Sequence, residues 1–155
     1  MMVDVGDMAP DVAFDTADGT RAKISDWRGK KLVVYFYPKD DTPGCTKEAQ
    51  AFTALAPEFA KAGAAVLGIS KDSVKSHAKF AGKYDLAVTL GSDGDGSVCE
   101  AFGVWVEKSM YGKQYMGIER ATFLIDANGK IAQVWRKVKV PGHAESVLES
   151  VHAID

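Results

Sequence analysis

Cysteine is nearly missing from this chain, which has two, Cys45 and Cys99, and no C-x-x-C pair. That excludes a disulfide framework and a cysteine-rich zinc site, and leaves each thiol to be explained by itself. Neither sign of charge is in excess. The 19 basic and 21 acidic residues give a net charge of -2, and the basic ones are scattered, so there is no electrostatic footprint for nucleic acid or an anionic membrane. No apolar run reaches the roughly 20 residues of a membrane span, and "MMVDVGDMAPDV" has neither the basic nor the apolar region of a signal peptide. The expectation is a cytoplasmic protein. Repeats, linkers and low-complexity segments are absent too. The 155 residues, 46% of them hydrophobic, are therefore expected to form one domain, 1–155, around one well-filled core.

What is present is a regular alternation of elements. "DVAFDTADGTRAKI" alternates apolar and polar residues about Asp18-Gly19, a hairpin signal. "KKLVVYFYP" carries a continuous apolar run from Leu32 to Tyr37, which suits a strand buried on both faces and ended by Pro38. Thr42 can cap a helix with Pro43 at its first position. Ala49, Phe52, Leu55, Ala56 and Phe59 then make an apolar stripe, with a kink at Pro57 and an end near Gly63. "AAVLGIS" reads as a second strand, "DSVKSHAKFAGKY" as a helix opening on Asp72, and "LAVTL" as a third strand. A helical piece around "SVCEAF" and an irregular stretch of glycines and tyrosines follow. "RATFLIDANGKIAQVWR" is a hairpin turning at Asn128-Gly129, and "GHAESVLESVHA" closes the chain as a helix. The class is α/β, a mixed sheet flanked by helices on both faces. The order is that of a thioredoxin-like fold with an extra N-terminal β-hairpin.

This frame puts one of the two cysteines in a special place. With Thr42 as N-cap, Pro43, Gly44 and Cys45 are the first three helical positions, where unpaired amides and the positive end of the helix dipole favour a thiolate over a thiol. Gly44 lets a ligand approach the backbone, and the Thr42 hydroxyl is close enough to share a small polar substrate with the sulfur. The three residues describe a site for a small electrophile.

Pro38, Thr42 and Cys45 also spell P-x-x-x-T-x-x-C after "FYP", the pattern of peroxiredoxins. "DDTPGCTKEA", "GSVCEAFGVW" and "GIERATFLID" resemble the bacterioferritin comigratory protein group, also called peroxiredoxin Q, and the resemblance runs from about Asp7 to the closing helix. It implies a thiol peroxidase that reduces hydrogen peroxide and organic hydroperoxides, with no metal, haem or flavin cofactor. Cys45 would be the peroxidatic residue, its backbone amide would hold the oxygen under attack, Thr42 would bond the peroxide and Pro38 would shield the sulfur. Arg120 occupies the position of the family's catalytic arginine, and Glu48, one turn along from Cys45, is suited to orient it. A guanidinium keeps its proton and can stabilise both a thiolate and a departing oxygen.

The resemblance breaks at the resolving residue. Many members have a second cysteine five positions after the first, where this chain has Gln50, and others carry it on the next helix, which here has none. Cys99, beside Val98, Ala101 and Phe102, reads as buried core. A one-cysteine cycle is expected, completed by an external thiol from thioredoxin, glutaredoxin or glutathione, in a monomer. The rival reading is a non-enzymatic thioredoxin-like redox sensor or holdase whose Cys45 oxidises once. A disulfide oxidoreductase is disfavoured, because Gly44, Thr46 and Lys47 surround Cys45 where a second cysteine is needed. His77, His143 and His152 read as solvated helix surface and give no Cys-His protease arrangement. "SDGDGS" reads as a turn, because Val98 and Val104 replace the glycine and glutamate of a calcium loop. Tyr111, Tyr115 and Met116 either line a wall of the site or cover the core.

Overall fold

Regular structure begins with the hairpin β1 (Ala13–Thr16) and β2 (Arg21–Lys23), which turns through Gly19 at φ +87°, a conformation glycine takes without strain. The protein is seen here as a computed structural model that describes residues 3–154. β3 (Lys31–Phe36), α1 (Pro43–Ala54), α2 (Ala56–Lys61), β4 (Ala64–Ser70), α3 (Val74–Tyr84) and β5 (Thr89–Ser92) form the first half. α4 (Ser97–Ala101), β6 (Trp105–Met110), β7 (Lys113–Ile118), β8 (Ala121–Ile125), β9 (Ile131–Trp135) and α5 (His143–Ala153) complete it.

Seven strands make one sheet in the order β2-β1-β5-β4-β3-β8-β9. β3, β4 and β5 run parallel, while β1, β8 and β9 are antiparallel to their neighbours. This is the thioredoxin-like arrangement expected, with the N-terminal hairpin docked through β1 onto β5.

The side-chain period of two divides β3 between two cores. Leu32, Val34 and Phe36 pack with Val98, Cys99, Phe102 and Phe123 on one face of the sheet. Val33, Tyr35 and Tyr37 pack with Cys45, Ala49 and Phe52 of α1 and with Val147 and Val151 of α5 on the other. Each of these large side chains contributes about 1.5–3 kcal/mol by leaving water, so β3 is the strand on which both layers depend. Tyr35 crosses β4 to stack on Phe52 at a centroid distance of 4.7 Å, and Gly68 makes that crossing possible. A Cβ at residue 68 would lie 2.7 Å from the Tyr35 ring.

Four expectations change. The helix expected to kink at Pro57 is instead broken at Leu55, since a proline there cannot donate to the carbonyl four residues back and its ring crowds it. α3 is capped by Ser73, whose Oγ accepts from the Ser76 amide, and not by Asp72, which is used elsewhere. β5 begins at Thr89, later than "LAVTL" suggested. The stretch read as irregular is an antiparallel ribbon, β6 with β7, turning through Tyr111 and Gly112, both at positive φ.

Candidate active site

The register of β3 against β8 pairs Phe36 with Ala121, so the residue before β8, Arg120, lies at the end of β3 where the loop to α1 begins. α1 then starts at Pro43 and turns Cys45, Glu48, Ala49 and Phe52 inward at helical spacing. Two segments separated by some 70 residues of sequence thus meet at one guanidinium. Arg120 Nη2 donates to the Cys45 sulfur at 3.3 Å and Nη1 donates to Glu48 Oε1 at 2.6 Å. The planar fork of an arginine suits this double contact, and it sets a positive charge against a sulfur that is only 2% exposed. Gly44 lies against the same guanidinium. A Cβ there would stand 3.3 Å from Arg120 Nη2, so the glycine leaves room for the arginine.

Thr42 occupies the N-cap position with extended backbone, but its hydroxyl makes no capping bond. It donates to the Lys39 carbonyl at 2.8 Å, which leaves the amides of the first turn without a side-chain cap. Pro38 is exposed and lines an open cleft with Lys39, Lys71, Trp105, Lys108 and Met116. Tyr115 lies along the same cleft, while Tyr111 is 98% exposed at the ribbon's tip, so none of the three ribbon residues covers the core. Lys108 is a cation that the sequence reading did not find, because it sits on the ribbon read as irregular. Burial, with the nearby charge of Arg120, lowers its pKa from the ordinary lysine value, and Cys45 acts in the opposite sense.

Burial pushes the Glu48 carboxyl up to about 7, although the charge and hydrogen bond of Arg120 pull it down. Its folded value therefore lies above the ordinary 4.5. Between those two values the folded protein holds a proton that the unfolded chain has released, so this group's contribution to stability is full below pH 4.5 and is lost as pH rises to about 7. Glu48→Gln removes that dependence. Melting curves at pH 5 and pH 8 should show the parent losing stability relative to Glu48→Gln as pH rises, by a few kcal/mol at most on the scale of about 1.4 kcal/mol per pKa unit. Parallel melting temperatures across that range would mean that Glu48 stays ionised throughout.

Two histidines expected at the surface are buried. His77 is fully enclosed, with Nδ1 2.7 Å from Asp40 and Nε2 3.0 Å from the Gly91 carbonyl. His143 opens α5 with Nε2 2.8 Å from the Thr122 hydroxyl, and burial pushes it down to about 4. Both were misread because polar partners distant in sequence satisfy them. Cys99 is buried as expected, at 0% exposure, and "SDGDGS" is a turn. Asp93 in that turn accepts from the Val98 and Cys99 amides at 3.0 and 2.8 Å. Burial and the adjacent Asp93 raise the Cys99 thiol far above its ordinary value, which keeps it protonated and a poor nucleophile.

The AhpC/TSA family model matches residues 5–134. Peroxiredoxin Bcp of Xanthomonas campestris is 54% identical over 143 residues, 92% of this chain and 89% of its own. The bacterioferritin comigratory protein of Xanthomonas campestris, whose structure was solved to explain its alkyl peroxide reduction activity, superposes with a TM-score of 0.91 at 50% identity, covering 97% of this chain and 98% of that one. A mutant of PrxQ from Xylella fastidiosa gives a TM-score of 0.93 at 43% identity, covering 99% and 98%. With the family match spanning most of the chain, and relatives this similar along nearly their whole length, the protein belongs to the AhpC/TSA family as a peroxiredoxin of the bacterioferritin comigratory protein type.

Proposed function

We propose that Cys45 reduces hydrogen peroxide and organic hydroperoxides in a one-cysteine cycle completed by an external thiol. The observation that carries this reading is the pair of cysteine environments. One sulfur lies against a guanidinium at a helix start, and the other is sealed on the opposite face of the sheet. The Cys45 thiolate attacks the terminal peroxide oxygen, the O–O bond breaks, and sulfur is oxidised to a sulfenic acid while the departing alkoxide or hydroxide takes up a proton. Thr42, whose hydrogen goes to Lys39, accepts from the peroxide O–H with its free lone pairs. The first-turn amides hold the oxygen under attack, and the Arg120 charge stabilises the sulfur and the departing oxygen. Pro38 limits access from the cleft side of the loop. An external thiol then displaces water from the sulfenic acid to form a mixed disulfide, and a second thiol releases Cys45 and leaves as the disulfide of the two donors. Thioredoxin, glutaredoxin and glutathione are the donor classes proposed, in a monomer acting in the cytoplasm.

A disulfide needs its two Cα atoms within about 7 Å, and β3 with its neighbours stands between Cys45 and Cys99. One equivalent of peroxide should therefore add one oxygen to Cys45, seen by mass spectrometry, with no Cys45–Cys99 bridge. Cys99→Ser should turn over with the same donors within about twofold of the parent, the size of effect that a fraction of a kcal/mol produces. Loss of two hydrogens on oxidation, together with a Cys99→Ser variant that no donor regenerates, would make Cys99 the resolving residue.

A further inference from the structure

The two aspartates that precede Thr42 are not used in the chemistry above, yet both are tied to α3. Asp41 sits at φ +55° with its carboxylate on Lys83 at 2.8 Å and on the Tyr84 hydroxyl at 2.6 Å, an exposed attachment. Asp40 is buried, and three donors converge on it: Tyr37 on Oδ1 at 2.6 Å, Ser76 on Oδ2 at 2.8 Å and His77 Nδ1 on Oδ2 at 2.7 Å. The other nitrogen of His77 must carry a hydrogen, because the Gly91 carbonyl it faces can only accept. Burial alone would raise the Asp40 carboxyl, but the hydrogen bonds from His77 and Tyr37 outweigh it and hold it below its ordinary value. Asp40, Asp72 and His77 are close enough together to suggest a metal site. Their donors and acceptors already satisfy one another, however, so the cluster is a hydrogen-bonded lock.

The lock ends at one peptide plane. The Asp40 amide donates to Asp72 Oδ2 at 2.8 Å, an oxygen that also accepts from Ser70 at 2.6 Å. The carbonyl of that same peptide unit is Lys39's, the acceptor of the Thr42 hydroxyl. Whatever fixes the 39–40 peptide fixes where the Thr42 lone pairs point.

We infer that Asp40 and His77, with Asp72, are positioning residues for Thr42, locking the peptide that orients its hydroxyl for peroxide. The inference rests on the peroxidase reading proposed above. It explains why a buried, hydrogen-bonded Asp40–His77 pair, of a kind that adds little net stability as a rule, is built beneath this loop: a displacement of about 1 Å at a reacting group can cost on the order of 100-fold in rate. Asp40→Asn replaces one carboxylate oxygen by an N–H₂, so at least one of the three donors loses its acceptor and the lock is weakened at its centre, while Cys45, Arg120 and Glu48 are left in place.

The test is a cycle of Asp40→Asn, Thr42→Val and the double variant, reading the second-order rate of Cys45 oxidation by hydrogen peroxide beside its alkylation by iodoacetamide. Asp40→Asn should slow oxidation about tenfold and alkylation less than twofold, and it should cost less than a further twofold once Thr42 is valine, because it acts through that hydroxyl. Oxidation within twofold of the parent, or losses that multiply in the double variant, would overturn the inference. So would equal loss of oxidation and alkylation, which would mean that the thiolate itself is affected. If Asp40→Asn does not give a native near-ultraviolet spectrum, the same cycle is run with Ser76→Ala, which removes one of the three donors and should cost about threefold. The parent separates the two claims: if peroxide does not oxidise its Cys45, the peroxidase reading fails. A fast parent with equally fast variants removes the lock alone.

Discussion

Cys45→Ser is expected to bring peroxide reduction down to the background of buffer and donor, with the fold retained. The substitution exchanges sulfur for oxygen at a position 2% exposed, at nearly the same volume, and Arg120 keeps an acceptor in front of Nη2. Melting temperature and near-ultraviolet circular dichroism should therefore stay close to those of the parent. The chemistry is lost for two separate reasons. A serine hydroxyl stays protonated at neutral pH even beside a guanidinium, so no nucleophile forms. Even an alkoxide could not complete the step, since sulfur accepts a further oxygen as a sulfenic acid and a hydroxyl oxygen has no equivalent stable state. Measured as peroxide loss with each thiol donor in turn, any donor-dependent turnover in Cys45→Ser would show that the reaction runs elsewhere in the chain.

The residues proposed for this step could be brought together from the sequence because each announces itself locally or through strand register. Cys45 follows an N-cap residue, a proline and a glycine, an arrangement that places a thiol in a first helical turn whatever the rest of the fold does. Arg120 precedes an apolar strand, and the pairing of that strand with β3 carries it to the loop. The Asp-Gly and Asn-Gly turns were equally plain, because the conformations at Gly19 and Gly129 need glycine.

The misread parts share one property, which is that their explanation is distant in sequence. His77 finds Asp40 across 37 positions and His143 finds Thr122 across 21, so a helical histidine among lysines and serines carries no local sign that it will be buried. The β6–β7 ribbon was missed because it buries little. Met110, Tyr111, Tyr115 and Met116 are exposed, and without a buried face there is no pressure for the alternation by which strands are recognised. The Thr42 hydroxyl was given to the helix amides by propensity, and the structure gives it to Lys39. That choice follows from how the Asp40 peptide is held, which capping preferences do not encode.

Arg120→Ala carries the second large expectation, a loss of about 100- to 1000-fold in the rate at which peroxide oxidises Cys45, the range seen when one preorganised donor is removed from a developing charge. Arg120 is the group in contact with the sulfur that also carries fixed charge, and its guanidinium is mostly buried, with 18% of the side chain exposed, so water cannot take over its role. Removal has a second consequence, at Glu48. The carboxyl loses the two interactions that oppose its burial, so it should bind its proton more tightly still and become a neutral, unpaired acid in the core. That uptake limits the stability cost, because a protonated acid avoids the several kcal/mol of an uncompensated buried charge. Arg120→Lys separates charge from geometry. An ammonium keeps the positive charge, but it is a compact point on a flexible stem and cannot hold Glu48 and Cys45 at 2.6 and 3.3 Å in one plane. Its rate should fall between parent and alanine variant. Stopped-flow oxidation, read beside alkylation by iodoacetamide, should show both slowed in Arg120→Ala, oxidation more than alkylation, since the departing oxygen has lost its stabilising charge as well. Alkylation as fast as the parent's would remove Arg120 from the activation of Cys45. If oxidation were also within threefold of the parent, the 3.3 Å contact would be a packing contact and the transition state would draw its stabilisation from the first-turn amides and Thr42.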